Sequence, residues 1–142
     1  FLTLLQSHLV PSASVRGAVE RIAERCRVSV VSASAESEVR ETLRLAALDD
    51  LFDIVISHES TRNSKPHPEP YTFACAQMRC TPEKTVAVED SATGIRAAAS
   101  AGLSVVAVAE SVPPQPPRPL QARILAVEPT FEEAARRIMA LL

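Results

Sequence analysis

The chain has 142 residues, 46% of them hydrophobic and 23% charged, with a formal net charge of −2. This is the composition of one globular domain with a real core, and it excludes disordered and fibrous classes. The small negative charge and the lack of a basic stripe argue against nucleic-acid and anionic-membrane partners, and no apolar run approaches the ~20 residues that span a bilayer. In chain order, Val15, Val19, Ile22, Ala23 and Cys26 recur at helical spacing after Ser12 and Ser14, either of which can cap the first turn. Val28 to Ser32 is short, β-branched and almost continuously apolar, the pattern of a strand covered on both faces. From Glu36 to Leu48 the period is again helical, with Val39, Leu43 and Ala47 on one face and Glu36 and Arg40 paired outside. Phe52 to Ser57 reads as a second strand, and residues 58–68, polar and carrying Pro66 and Pro68, as a loop.

A helix follows in which Pro70 suits the first turn and Tyr71, Ala74, Cys75 and Met78 share one face. Thr85 to Glu89 is a third buried strand, residues 93–101 form an Ala-rich helix that Gly102 can end, and Ser104 to Ala109 is a fourth strand. Five of the eleven prolines fall between Pro113 and Pro119, which marks a surface connection; an SH3-like ligand is the less economical reading. Arg123 to Val127 suits an edge strand, and Thr130 with Glu133 forms a capping box before a helix with Phe131, Ala134, Ala135, Ile138 and Leu141 on its apolar face. Strands that are apolar throughout and alternate with amphipathic helices predict an α/β fold, a Rossmann-like parallel sheet flanked by helices.

Cys26, Cys75 and Cys80 form no CxxC spacing and no even disulfide set, and each lies among apolar neighbours, so a structural role in a reducing cytoplasm is expected. His8, His58 and His67 show no ligand spacing, and the sequence contains no GxSxG, GxGxxG or P-loop stretch. Phe1 to Val10 has no basic n-region of the kind a signal peptide carries.

In an open parallel sheet the ligand site lies at the carboxyl ends of the strands. There the sequence places Ser32-Ala33-Ser34, the loop Asn63-Ser64-Lys65-Pro66, and Glu89-Asp90-Ser91. Hydroxyls and backbone N–H groups take phosphoryl oxygens, an ammonium offsets their charge, and paired carboxylates hold Mg²⁺. Each group also has a plain structural use: Ser32 and Ser34 suit helix N-caps, Asp90 suits the cap of the following helix, and a loop lysine is commonly a solvated charge. Lys65 stands out because it is one of only two lysines, in a chain with 15 Lys and Arg together. Adjacent Glu89 and Asp90 repel each other unless a cation or proton relieves them.

Three motifs in this order, VVSAS (30–34), SKPHPEPY (64–71) and VAVEDSATGIRAAASAG (86–102), resemble those of the haloacid dehalogenase-like phosphohydrolase superfamily, in the branch of beta-phosphoglucomutase and small phosphosugar phosphatases. The resemblance implies that Ser32 and the Ala33 N–H bind the transferring phosphoryl, that Lys65 is the motif lysine, and that Glu89 and Asp90 hold Mg²⁺. It further implies a DxDx[TV] motif whose first aspartate is the nucleophile, and this sequence contains none. Residues 1–10 are therefore expected to end a cap-domain helix and residues 11–142 to form the C-terminal part of the core, without its first strand and most of the cap. A missing N-terminal segment or another chain would then complete the sheet.

The implied function is part of a Mg²⁺-dependent phosphatase acting on a small phosphorylated metabolite, a sugar phosphate, through an aspartyl-phosphate. The chain alone would be inactive. Ala35-Glu36 stand where a mutase carries polar or basic residues for a second phosphate, so a monophosphatase is favoured over a phosphomutase. A catalytically inactive regulatory or scaffolding remnant is the alternative from another class. A receiver domain fits poorly, lacking the acidic pair after a first strand.

Overall fold

The structure is a computed structural model that describes residues 2–5 as backbone and residues 12–109 and 116–142 in full. Six strands form one parallel sheet: β1 (Leu2–Leu5), β2 (Arg27–Val31), β3 (Ile54–Ile56), β4 (Thr85–Glu89), β5 (Ser104–Val108) and β6 (Ile124–Glu128). Their order is β3-β2-β1-β4-β5-β6, so the chain steps outward on one side of β1 and then on the other. Ligands bind beside such a reversal. Among the described residues five helices connect them, α1 (Ala13–Ala23), α2 (Glu36–Leu45), α3 (Glu69–Met78), α4 (Ala92–Ser100) and α5 (Arg118–Gln121), and α6 (Phe131–Met139) follows β6. The expected α/β class is thus found. The sequence pattern does not predict the single-turn α5, which begins at the end of the proline-rich stretch; Pro113 and Pro114 lie outside the described residues.

Strand alternation divides the core into two layers. Val28, Val30, Val86, Val88 and Val106 face α1, α2 and α6, where Val19, Ile22, Leu43, Phe131 and Ile138 meet them. Val31, Ile56, Ala87, Val105 and Ala107 face α3 and α4, against Tyr71, Ala74, Cys75, Met78, Ile95 and Ala98. Because side chains alternate along a strand, this parity also fixes which layer each strand-end residue joins. The helix ends follow local chemistry: Ser12, Ser91 and Thr130 each accept a backbone N–H in the first turn, and Gly102, at φ 89, stands just beyond the end of α4.

One expectation is corrected here. Residues 2–5 are not the end of a cap helix but a strand at the centre of the sheet, in register with Leu2 to Leu5 opposite Arg27 to Val30 on one side and Thr85 to Val88 on the other. The run Leu2-Thr3-Leu4-Leu5 is too short to decide between helix and strand by period. The tertiary setting decides it, because β2 and β4 would otherwise each leave a buried row of backbone groups without partners. The chain's own residues therefore fill the central position, with no second chain needed there.

Candidate active site

The candidate site lies on the rim where β2 and β4 end, two sheet positions apart with β1 between them. Ser32 follows β2 and Asp90 follows β4; each is two residues beyond the row that aligns Val30, Leu5 and Val88. With strands about 4.8 Å apart, the two sit on the same level of the rim, roughly 10 Å from each other. Ser32 is buried, its N–H donating to the Ile56 carbonyl at 2.8 Å and its hydroxyl oxygen accepting the Ser34 N–H at 3.0 Å. Ala33 is exposed beside it. Neither serine caps α2: the cap position is Ala35, and the Glu36 N–H donates to the Glu59 carboxylate at 3.2 Å.

Lys65 reaches the same rim from the loop after β3. Its ammonium donates to the Val31 carbonyl at 2.9 Å, the residue before Ser32, and to Glu89 Oε1 at 2.5 Å. The side chains of this pair are only 2% and 0% exposed. The Lys65–Pro66 peptide is cis. By strand parity Glu89 belongs to the layer of α3 and α4, and both helices contribute to its surroundings. The Tyr71 hydroxyl of α3 donates to Glu89 Oε1, and the Lys65 ammonium sits 5.1 Å from the centre of the Tyr71 ring. On α4, Gly94 faces the carboxylate so closely that any β-carbon there would collide with it.

Burial pushes the Glu89 carboxyl above its ordinary value, while the Lys65 ammonium and the Tyr71 hydroxyl pull it back. The Tyr71 hydroxyl is itself pushed well up, by burial first and by Glu89 second, so it remains a donor. Asp90, by contrast, is exposed on the rim, and the helix cap it might have supplied comes from Ser91, whose hydroxyl accepts the Gly94 N–H at 3.1 Å.

The donor chemistry bears on a metal. Among the described residues no three His, Cys, Asp or Glu side chains gather. Glu89 Oε1 is engaged by Lys65 and Tyr71, which leaves Asp90 as the rim carboxylate. Magnesium keeps several waters and takes one or two carboxylates with phosphate oxygens, so an all-oxygen rim with Asp90 fits it as a partial ligand set. Sequence reasoning brought Ser32, Ala33, Lys65, Glu89 and Asp90 to one rim, and all five lie there. It missed two residues that shape the site. Tyr71 carries only a core signal in the helical period, although it is the chain's sole tyrosine and part of the motif after Lys65; Gly94 is one small residue in an Ala-rich helix.

The sequence profile of the haloacid dehalogenase-like hydrolases matches residues 3–108. The chain belongs to that family. It is 34% identical over 90 residues to the phosphorylated carbohydrates phosphatase of Thermotoga maritima, an alignment covering 63% of this chain and 42% of that protein. Against the pyrophosphatase PpaX of Bacillus mycoides it is 34% identical over 82 residues, covering 58% and 38%. Among solved structures, a protein assigned as a beta-phosphoglucomutase from Thermotoga maritima superposes with a TM-score of 0.76 at 28% identity, over 92% of this chain and 60% of that one. A haloacid dehalogenase-superfamily hydrolase from Geobacter sulfurreducens gives 0.74 at 27%, over 92% and 55%. The chain thus spans about two-fifths of the length of the curated relatives and somewhat over half of the structural ones. Among the described residues no helix is long and apolar enough to cross a membrane.

Proposed function

We propose that these residues form the phosphate-holding, metal-holding part of a phosphatase core that hydrolyses a small phosphomonoester, a sugar phosphate, by way of an aspartyl-phosphate. The observation that carries this reading is the buried Lys65–Glu89 pair, held directly behind Ser32. Taking two charges out of water is costly, and a lysine fixed at the end of a parallel strand is well used when its ammonium faces an anion. The Ser32 hydroxyl and the Ala33 N–H take phosphoryl oxygens, and Lys65 offsets the charge that spreads over them during in-line transfer. Asp90 at the rim is the acid that would hold Mg²⁺, which supplies charge neutralisation at the phosphoryl group when bound, whereas Glu89, expected from the sequence as a second metal acid, is buried behind it with Oε1 taken by Lys65 and Tyr71. Tyr71 and Gly94 position Glu89, which in turn positions Lys65.

The sequence has no DxDx[TV] stretch, and Leu5 is followed by Gln6-Ser7-His8, so these 142 residues carry no aspartate in that motif. The phosphatases among the relatives agree with the reaction class. Mutase chemistry is disfavoured at the start of α2, where Glu36 and Glu59 stand together and would repel a second phosphate. The inactive-remnant reading rests on the same lack of an aspartate after β1. Calorimetric titration of inorganic phosphate with Mg²⁺ tests the site. Binding that needs the metal and weakens at least tenfold in Ser32→Ala and Asp90→Asn is expected, together with no release of phosphate from p-nitrophenyl phosphate. Unaltered binding in both variants would refute the site. Metal-dependent multiple turnover by this chain would refute the need for a motif aspartate.

A further inference from the structure

At the far end of α3 from Lys65, two thiols converge on one hydroxyl. Cys75 Sγ lies 3.8 Å and Cys80 Sγ 3.4 Å from Thr85 Oγ1. That hydroxyl's proton is committed to the Thr81 carbonyl at 2.8 Å, so its lone pairs are what it offers the two sulfurs. The backbone brings them together independently. α3 ends with Arg79 in the left-handed region at φ 53, and the Cys80 N–H donates back to the Cys75 carbonyl at 3.0 Å. Such a closure sets the two α-carbons within the span that a disulfide needs.

The surroundings divide the labour between the sulfurs. Cys75 is buried, and burial first, with the adjoining Cys80 thiol adding to it, pushes it up to about 12. Cys80 is half-buried and lines a cavity of about 460 Å³ with Arg27, Arg79 and Lys84, which makes it the more accessible sulfur of the two. Cys26 lines the same cavity from β2's side.

We propose that Cys75 and Cys80 are a thiol pair that closes reversibly to a disulfide on reaction with a small-molecule disulfide such as oxidised glutathione. The Cys80 thiolate attacks one sulfur of the oxidant, forming a mixed disulfide and releasing one glutathione thiolate. Cys75 then loses its proton and attacks the Cys80 sulfur, and the second glutathione thiolate leaves. The protein is oxidised by two electrons and the oxidant is reduced to two thiols. The closed ring ties the last turn of α3 to the approach of β4, the two elements that carry Tyr71 and Glu89 at their other ends.

The test treats the folded chain with oxidised glutathione, alkylates free thiols with N-ethylmaleimide and reads the mass. One alkylated thiol, Cys26, and a mass 2 Da below the dithiol value before alkylation are expected. Trypsin cuts after Arg62, Arg79 and Lys84 but not before Pro66, so peptides 63–79 and 80–84 should be found joined and should separate with dithiothreitol. Cys26→Ser should leave the crosslink intact, whereas Cys75→Ser should stop at a glutathione adduct on Cys80. In urea the preference should vanish, with Cys26 joining the exchange. Three alkylated thiols in the folded chain, or a crosslink through Cys26 instead, would overturn the proposal.

Discussion

Two ion pairs in this chain have similar geometry and opposite settings. Lys65 and Glu89 meet at 2.5 Å with side chains 2% and 0% exposed, whereas Arg16 and Asp50 meet at 2.9 Å with side chains 31% and 61% exposed. The outer pair joins α1 to the turn after α2 and sits in water, where solvent screens it and a missing partner is replaced by hydration. The inner pair has no such replacement. Its charges depend on each other, on the Val31 carbonyl and on the Tyr71 hydroxyl. Their titration differs in sign as well. The hydrogen bond from Arg16 holds the Asp50 carboxyl below its usual value, while burial holds Glu89 above its own. The outer pair gains little from solvent exclusion, whereas the inner pair carries the cost of burial at a strand end, which is the feature the proposed phosphate site rests on.

The largest effect should come from removing one inner partner. Lys65→Met leaves Glu89 buried and uncompensated, and should cost about 3–5 kcal/mol in urea denaturation. The double variant Lys65→Met with Glu89→Leu should be less destabilised than the sum of the two single changes, since no lone charge remains. Additive losses would show that the inner pair is not coupled. Next comes Gly94→Ala, which drives a methyl group into the Glu89 carboxylate and should cost about 1–3 kcal/mol. The same change in a Glu89→Ala background should cost much less. Tyr71→Phe deletes one donor to Glu89 and should cost about 1–2 kcal/mol, with a weaker phosphate affinity that a plain packing loss would not produce. The smallest effect belongs to Asp50→Asn, a slight loss of stability at neutral pH that fades as pH falls. A lowered carboxyl contributes stability above its unfolded value and loses it as the pH drops through its folded one, so Asp50→Asn should shrink the acid-side loss of the urea midpoint. Glu89, being raised, runs the other way: its contribution is present below its unfolded value and is lost as pH rises through the folded one.

The comparison also explains what the sequence could disclose. Strand and helix positions were legible because alternation and helical period are written in side-chain type, as in Val28 to Ser32 and in Phe131 to Leu141. The rim was legible because parallel strands expose their carboxyl ends in a known order, which put Ser32, Lys65 and Asp90 together before any coordinates. The identity of Leu2–Leu5 as the central strand was not, because four residues, three of them leucine, are too few to show a period and pairing on both sides made the choice. Nor was the function of Tyr71 or Gly94. Both act through three-dimensional closeness to Glu89, 18 residues from the one in sequence and on a different element from either.

The account stands or falls on one anion meeting Ser32, Lys65 and Asp90 together. Amide chemical shifts of the nitrogen-15-labelled chain, followed while phosphate and Mg²⁺ are added, read that meeting residue by residue. The largest movements should fall on Ser32, Ala33, Ser34, Lys65 and Asp90, and should fade when Mg²⁺ is removed. Movements confined to the exposed cleft of Arg62, His67 and Arg96, or none at the ends of β2 and β4, would contradict it.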